Sequence, residues 1–461
     1  MTRFFPLLTA LALLHQSAQA DERPNILLIV SDDQGYGDSS GYGQTDLQTP
    51  TMNAIGRNGV RFTRFRVNPL CAPTRASLMT GLYSQEAGMW RGPGALERGP
   101  EPPGGWPDDA RRFRDGVRLL PQFLKSAGYA TGCFGKWHLG YDADNVPHAR
   151  GFDEFVGFLG GSHPYWPRGS SRLERDGVPL QTDLHTTDLF ADEAIRFIRA
   201  HRDQPFFCYV PFNAVHGPLR SADRTRDSAK PEWLAKYEAA GVAQPRRDYC
   251  AVMSHADARA GDLIAVLREL SLVERTLVIF VSDNGGILDK YPSNNGPFRG
   301  GKGETYEGGI RVPAVMQWPG VIPAGTTSDA DAVHFDLFAT ILDAAGVDVP
   351  ANNGPFAVCG RSLLPHLRSG GRTPLPERTL FWDLYGKQAA LNGRWKLVGT
   401  LPNHRGDFVR AAADAAAGEF ELYDLESDPA EQHNVAAGQP EIYRDLKSQH
   451  VEWLKHVAAG E

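Results

Sequence analysis

The chain has 461 residues and a formal net charge of −7, enough polypeptide for a large core and more than one folded unit. Mild acidity excludes the electrostatic footprint of a nucleic-acid-binding protein, while a locally basic pocket for a small anion stays open. Five scattered cysteines without a Cys-x-x-Cys pair exclude a disulfide-stapled scaffold.

Residues 1–20 read as a secretory signal peptide: Arg3 precedes the apolar run Phe4–Leu14, and Ala18-Gln19-Ala20 offers a small-residue cleavage site. That run is too short to span a bilayer. The expectation is an exported protein, periplasmic or extracellular, with no stable membrane insertion.

Residues 25–31 form a nearly continuous apolar run, as a strand buried on both faces does. It leads into Asp32-Asp33-Gln34-Gly35. Next comes Cys71-Ala72-Pro73-Thr74-Arg75, continuing to Gly81. Pro73 suits the first turn of a helix and Gly81 can end it, which puts Cys71 at or just before a helix N-terminus. Arg75 adds a planar cationic fork matched to an oxyanion. Residues 88–112 are rich in Pro and Gly and read as a surface excursion.

A helix is expected from Leu119 to Ala127, then a strand from Tyr129 to Phe134 leading into Lys136-Trp137-His138. Residues 141–183 show little periodicity. Phe190, Ala194, Phe197 and Ile198 share one helical face. The strand at 205–212 runs toward His216, and Val252 to Leu270 marks a long amphipathic helix. The strand Thr276 to Val281 ends in Ser282-Asp283-Asn284-Gly285. A glycine-rich segment carries Lys302 between Gly301 and Gly303. A strand near 312–318 and a helix around Phe338–Ala345 complete this part.

Strands alternating with helices imply an α/β fold with a large, mostly parallel central sheet flanked by helices. Composition changes near 366–380. Residues 21–374 are therefore expected to form the main α/β domain, and 375–461 a small C-terminal α+β domain with a short antiparallel sheet.

Two strand ends carry oxygen donors, Asp32-Asp33 and Asp283-Asn284, the ligand type hard cations prefer. Calcium or magnesium suits them better than zinc. Arg75, Lys136 and Lys302 can neutralise a tetrahedral anion, and His138 and His216 can carry protons. Such a set cleaves sulfuryl or phosphoryl esters. No phosphate-cradling P-loop is present.

The run from Cys71 to Gly81 resembles the signature of type I sulfatases, members of the alkaline phosphatase superfamily in which the cysteine is oxidised to formylglycine (3-oxoalanine). Gly35-Tyr36-Gly37-Asp38, Gly135-Lys136-Trp137-His138, Ser282-Asp283-Asn284-Gly285 and Leu422-Tyr423-Asp424-Leu425 resemble further blocks of the family. The resemblance implies calcium, ahead of magnesium as the alternative, held by Asp32, Asp33, Asp283 and Asn284. It implies that Arg75 and His138 serve the formylglycine hydrate, and that Lys136, Lys302 and Ser162 contact sulfate. His216 would lie near the leaving oxygen, with His216 or Lys302 as proton donor. The implied partners are a formylglycine-generating enzyme and a small or oligomeric sulfated saccharide. Trp90, Trp106, Tyr165 and Trp166 could stack on sugar. The rival readings are a phosphate or phosphonate ester hydrolase and an inert glycan-binding protein.

Overall fold

The structure, a computed structural model, describes residues 23–91, 112–167, 172–217, 219, 228–289 and 291–460. The expected signal peptide, most of the 88–112 excursion and Trp106 lie outside the described residues.

Across the main sheet the strand order is Thr326–Ser328, Val60–Phe62, Ala314–Gln317, Thr276–Ser282, Asn25–Ser31, Phe206–Pro211, Ala130–Lys136, Glu154–Phe158, Glu174–Arg175 and Val178–Pro179. From Thr276–Ser282 to Glu154–Phe158 the strands are parallel, so their C-terminal ends lie along one edge. Ala314–Gln317 runs antiparallel to both neighbours.

Period-two alternation explains the continuous apolar runs. In Asn25–Ser31, Ile26, Leu28 and Val30 enter one core, and Leu27 and Ile29 enter the other. Helices Cys71–Thr80, Leu120–Ser126 and His334–Ala344 cover the first face. Helices Pro50–Arg57, Thr186–Ala200 and Arg246–Glu269 cover the second.

Residues 141–183 show little periodicity, yet Glu154–Phe158 is a member of the parallel set. It is short, and Gly157 lies opposite Gly135 of the neighbouring strand. A Cβ on Gly157 would stand 1.9 Å from the Gly135 carbonyl oxygen, so close backbone approach replaces the side-chain pattern that marks a strand.

The smaller C-terminal domain has a four-stranded antiparallel sheet in chain order, Thr379–Leu384, Lys387–Asn392, Trp395–Thr400 and Glu421–Asp424. Helices Phe408–Ala417 and Pro440–Ala459 pack with it. A buried charge cluster joins it to the main domain. Lys396 Nζ lies 3.0 Å from Glu307 Oε1 and 2.8 Å from Glu431 Oε1, and Arg66 Nη2 lies 2.8 Å from Glu307 Oε2.

Candidate active site

The centre forms where the parallel strands end, the usual position for chemistry in an open α/β sheet. Ser31 and Ser282 are in register at adjacent strand ends, so Asp32-Asp33 and Asp283-Asn284 leave the sheet side by side. Asp33 has a φ of 64°, and this left-handed residue turns the chain out of the strand direction. The Asp33 N–H donates to Asp283 Oδ1 at 3.2 Å, and the Asn284 amide donates to Asp33 Oδ1 at 2.8 Å. Beyond them, a Cβ on Gly285 would lie 1.9 Å from the Gly308 carbonyl oxygen, so only glycine lets this turn close.

All four residues are buried. Asp32 Oδ1, Asp33 Oδ2 and Asn284 Oδ1 have no hydrogen-bond partner among the described residues. Burying such oxygens unsatisfied is costly, and a hard cation with several oxygen ligands relieves that cost. The donor set therefore fits a calcium-type ion. It lies beside the cysteine: ligand atoms of Asp32, Cys71 and Asp283 are all within 4.8 Å of one another.

Cys71 is the first residue of its helix, and Gly81, at φ 74°, closes it. The Cys71 Sγ lies 3.3 Å from His138 Nδ1. Lys136 and His138 both serve this centre through a turn of the backbone. The strand ends at Lys136, and His138 turns back with a φ of 59°. A Cβ on Gly161 would stand 2.7 Å from His138 Nε2, so glycine is needed above the imidazole.

Lys136 Nζ lies 2.6 Å from Asp32 Oδ2, and Lys302 Nζ 2.6 Å from Asp33 Oδ1. Arg75 commits its fork to protein. Its Nε and Nη2 donate to Asp283 Oδ2 at 3.1 and 2.7 Å, and Nη1 donates to the Lys136 carbonyl at 3.1 Å. His216 Nδ1 donates to the Gly217 carbonyl at 2.7 Å, leaving Nε2 toward Asp33 Oδ2 at 3.8 Å.

Burial and then Asp283 push Asp32 up to about 7, against the pull of Lys136. Burial would also raise Asp33, but Lys302, with His216 and Lys136, holds it well below the usual carboxylate range. Burial, followed by Lys136 and Arg75, drives His138 far down. Burial and Lys302 bring His216 to about 4 although Asp33 opposes them. Desolvation disfavours the Lys302 ammonium, but Asp33 together with Cys71, Asp32 and Asp283 outweighs it and raises its pKa. At neutral pH both imidazoles are uncharged and Lys302 is charged. The centre can thus hold an anion and accept a proton at once.

Ser162 is exposed and directly follows the Gly161 that lies against the His138 ring. Trp90 and Tyr165 are buried at 4% and 3% exposure. They pack rather than offer a sugar surface, and the Tyr165 hydroxyl donates to the Asn213 and His216 carbonyls. Sequence reasoning missed Gln34. Its side chain accepts from Ser31 Oγ at 2.7 Å and its N–H donates to Ser282 Oγ at 3.1 Å, tying the two acidic strand ends together. It also missed Tyr209, whose hydroxyl accepts from Arg75 Nη1 at 3.5 Å. The Asp-Asp-Gln run pointed at Gln34, while Tyr209 lies mid-strand with no signal at all.

The profile of the sulfatase family matches residues 24–347, which include every residue of this centre. The chain belongs to the type I sulfatase family. It is an enzyme of the sulfatase class, working through a formylglycine made from Cys71. The profile described as N-sulphoglucosamine sulphohydrolase, C-terminal, matches residues 301–458 of this sulfatase. Its sequence is 34% identical over 387 residues to N-acetylgalactosamine-6-sulfatase of Sus scrofa, covering 79% of this chain and 69% of that protein. It is 32% identical over 471 residues to human arylsulfatase A, covering 92% and 86%. The solved structure of Ps i-CgsB with k-i-k-neocarrahexaose superposes with a TM-score of 0.77 at 30% identity, covering 94% of this chain and 93% of that one. The phosphonate monoester hydrolase of Agrobacterium radiobacter shares the fold, with a TM-score of 0.63 at 23% identity and coverage of 95% and 96%.

Proposed function

We propose that this sulfatase removes sulfate from a sulfated carbohydrate outside the cytoplasm. The observation that carries the reading is the convergence of Cys71, His138 and two lysines on a buried oxygen cluster with partnerless atoms. The carbohydrate class is supported by the relative named for N-acetylgalactosamine-6-sulfate and by the neighbour solved with a neocarrahexaose. Export is supported by the signal-like N-terminus. Among the described residues no helix is long and apolar enough to cross a membrane.

Asp32, Asp33, Asp283 and Asn284 would hold one calcium ion, which would supply positive charge beside the reacting sulfate. Formylglycine, made from Cys71 by a dedicated modifying enzyme, supplies as its hydrate a hydroxyl nucleophile that a thiol lacks. The neutral His138 Nδ1 faces residue 71 and accepts a proton from it. Lys136 and Lys302 bind sulfate oxygens. Arg75 orients Asp283 and the Lys136 carbonyl, so it shapes the pocket around residue 71. Lys302 suits protonation of the leaving oxygen better than His216. It is charged, whereas His216 is neutral with its Nδ1–H committed to Gly217. Ser162 suits a contact at the rim. Residues 21–374 carry the chemistry, and 375–461 form the supporting unit.

The test is sulfate release from a panel of sulfated saccharides, beside matched phosphate esters. Release from a saccharide, lost in Cys71→Ala, supports the reading. Faster turnover of the phosphate esters overturns it.

A further inference from the structure

Leu384 pairs with Lys387 across a hairpin of the C-terminal sheet, leaving Tyr385 and Gly386 as its two-residue tip. Both have positive φ, 56° and 88°, the mirror-image turn that matches strand twist. Glycine at the second position is required, because a Cβ there would lie 2.4 Å from the Leu401 carbonyl oxygen. The first position ordinarily takes Asn, Asp or Gly. A bulky aromatic in the left-handed region is an outlier, and such outliers gather where a site needs a particular side chain.

The tip is fastened to the active centre. Lys387 Nζ donates to the Gly303 carbonyl at 2.9 Å, one residue beyond Lys302. The Gly303 N–H donates to the Pro69 carbonyl at 2.7 Å, two residues before Cys71. Burial pushes the Tyr385 phenol up, with Arg91 pulling it down and Cys71 adding to the rise. Its ring meets Trp90 edge-on, with centroids 6.0 Å apart. Trp90 is braced in turn by His404 at 5.9 Å, Phe408 at 6.0 Å and the Arg91 guanidinium at 4.9 Å. Trp90 is buried, whereas Tyr385 is 39% exposed. The strained residue thus exposes part of an aromatic ring next to the tie to the Lys302 loop, packed edge-on against a buried indole.

We infer that Tyr385 is a specificity-determining residue, the platform on which a sugar ring of the sulfated saccharide stacks, with Lys387 locking that platform to the Lys302 loop. The inference rests on the carbohydrate reading under Proposed function. Aromatic rings take an apolar face and leave a polar edge wet, which suits a pyranose. A contact remote from the reacting sulfur holds ground state and transition state alike, so it acts on KM rather than kcat.

The test compares formylglycine-bearing wild type with Tyr385→Ala, Tyr385→Asn and Tyr385→Phe on a saccharide that the wild type desulfates. Inorganic sulfate serves as a competitive inhibitor that fills only the anion pocket. Asn fits the positive φ, so that variant removes the ring and keeps the turn. Ala and Asn should raise the saccharide KM roughly 5- to 20-fold, with kcat within about twofold and the sulfate Ki unchanged. Phe should behave as wild type. Unchanged KM in Ala and Asn overturns the inference alone, as does a sulfate Ki that rises in step with KM. A wild type that desulfates no saccharide overturns the carbohydrate reading, and this inference with it.

Discussion

Calcium binding should be coupled to the proton on Asp32. Burial and the neighbouring Asp283 raise that carboxyl from 3.8 to about 7, a preference for the protonated form worth roughly 4 kcal/mol. In metal-free protein the unfolded chain sheds this proton near pH 4, and the folded chain keeps it to about pH 7. From this group alone, stability of the metal-free fold falls by up to ~1.4 kcal/mol per pH unit across that window and levels off above it. Asp33 does not titrate there, because its folded value lies below its unfolded one. It loses its stabilising effect only in stronger acid. An entering ion must displace the Asp32 proton. Binding should release about 0.9 proton per ion at pH 6 and about 0.1 at pH 8. Titration calorimetry in two buffers of different ionisation enthalpy reads that number directly. The apparent Kd should tighten about tenfold per pH unit below pH 7 and then plateau. Asp32→Asn should bind more weakly and without the pH slope. Affinity that ignores pH, or a slope that survives in Asp32→Asn, would refute the coupling.

Intact-protein mass spectrometry of active enzyme should find residue 71 lighter than cysteine by about 18 Da, the difference between CH₂SH and CHO; Cys71→Ala should abolish sulfate release. Lys302→Met should lower kcat by at least about 100-fold, and His216→Gln by about tenfold or less; steady-state kinetics on a sulfated saccharide ranks the two, and the reverse order would return the proton donor to His216. Lys396→Met leaves Glu307 and Glu431 buried without the cation between them, and denaturant unfolding should report a loss of roughly 3–5 kcal/mol.

Much of this was legible because sheet and site are written in the same places. Each central strand reads as an apolar run, and the residues just past its end carry the chemistry, as in Val30-Ser31-Asp32-Asp33 and Val281-Ser282-Asp283-Asn284. What stayed hidden depends on contacts between distant segments. Lys387–Asn392 pairs on both sides within its sheet, yet its Gln-Ala-Ala-Leu centre has weak strand preference. Trp90 lies in a polar stretch and looked exposed until the hairpin and helix that cover it were in view. The inward turn of His138 depends on its left-handed backbone, which no neighbouring glycine or spacing announces. Arg75 looked ready for an oxyanion, and only the fold shows Asp283 already in its fork.

Cys71 is 3% exposed, and all ten residues of its helix are buried. A modifying enzyme acting on Cys71 would find this segment out of reach in the finished fold. A molecule that folds with its thiol intact is therefore committed to that state for as long as it stays folded. A preparation in which modification is incomplete would then contain two populations that do not interconvert, alike in shape and size and differing at one side chain. Its specific activity becomes a record of biosynthesis, of how often oxidation outran folding. Supplying the modifying enzyme to purified protein should leave that ratio untouched unless the chain is first unfolded.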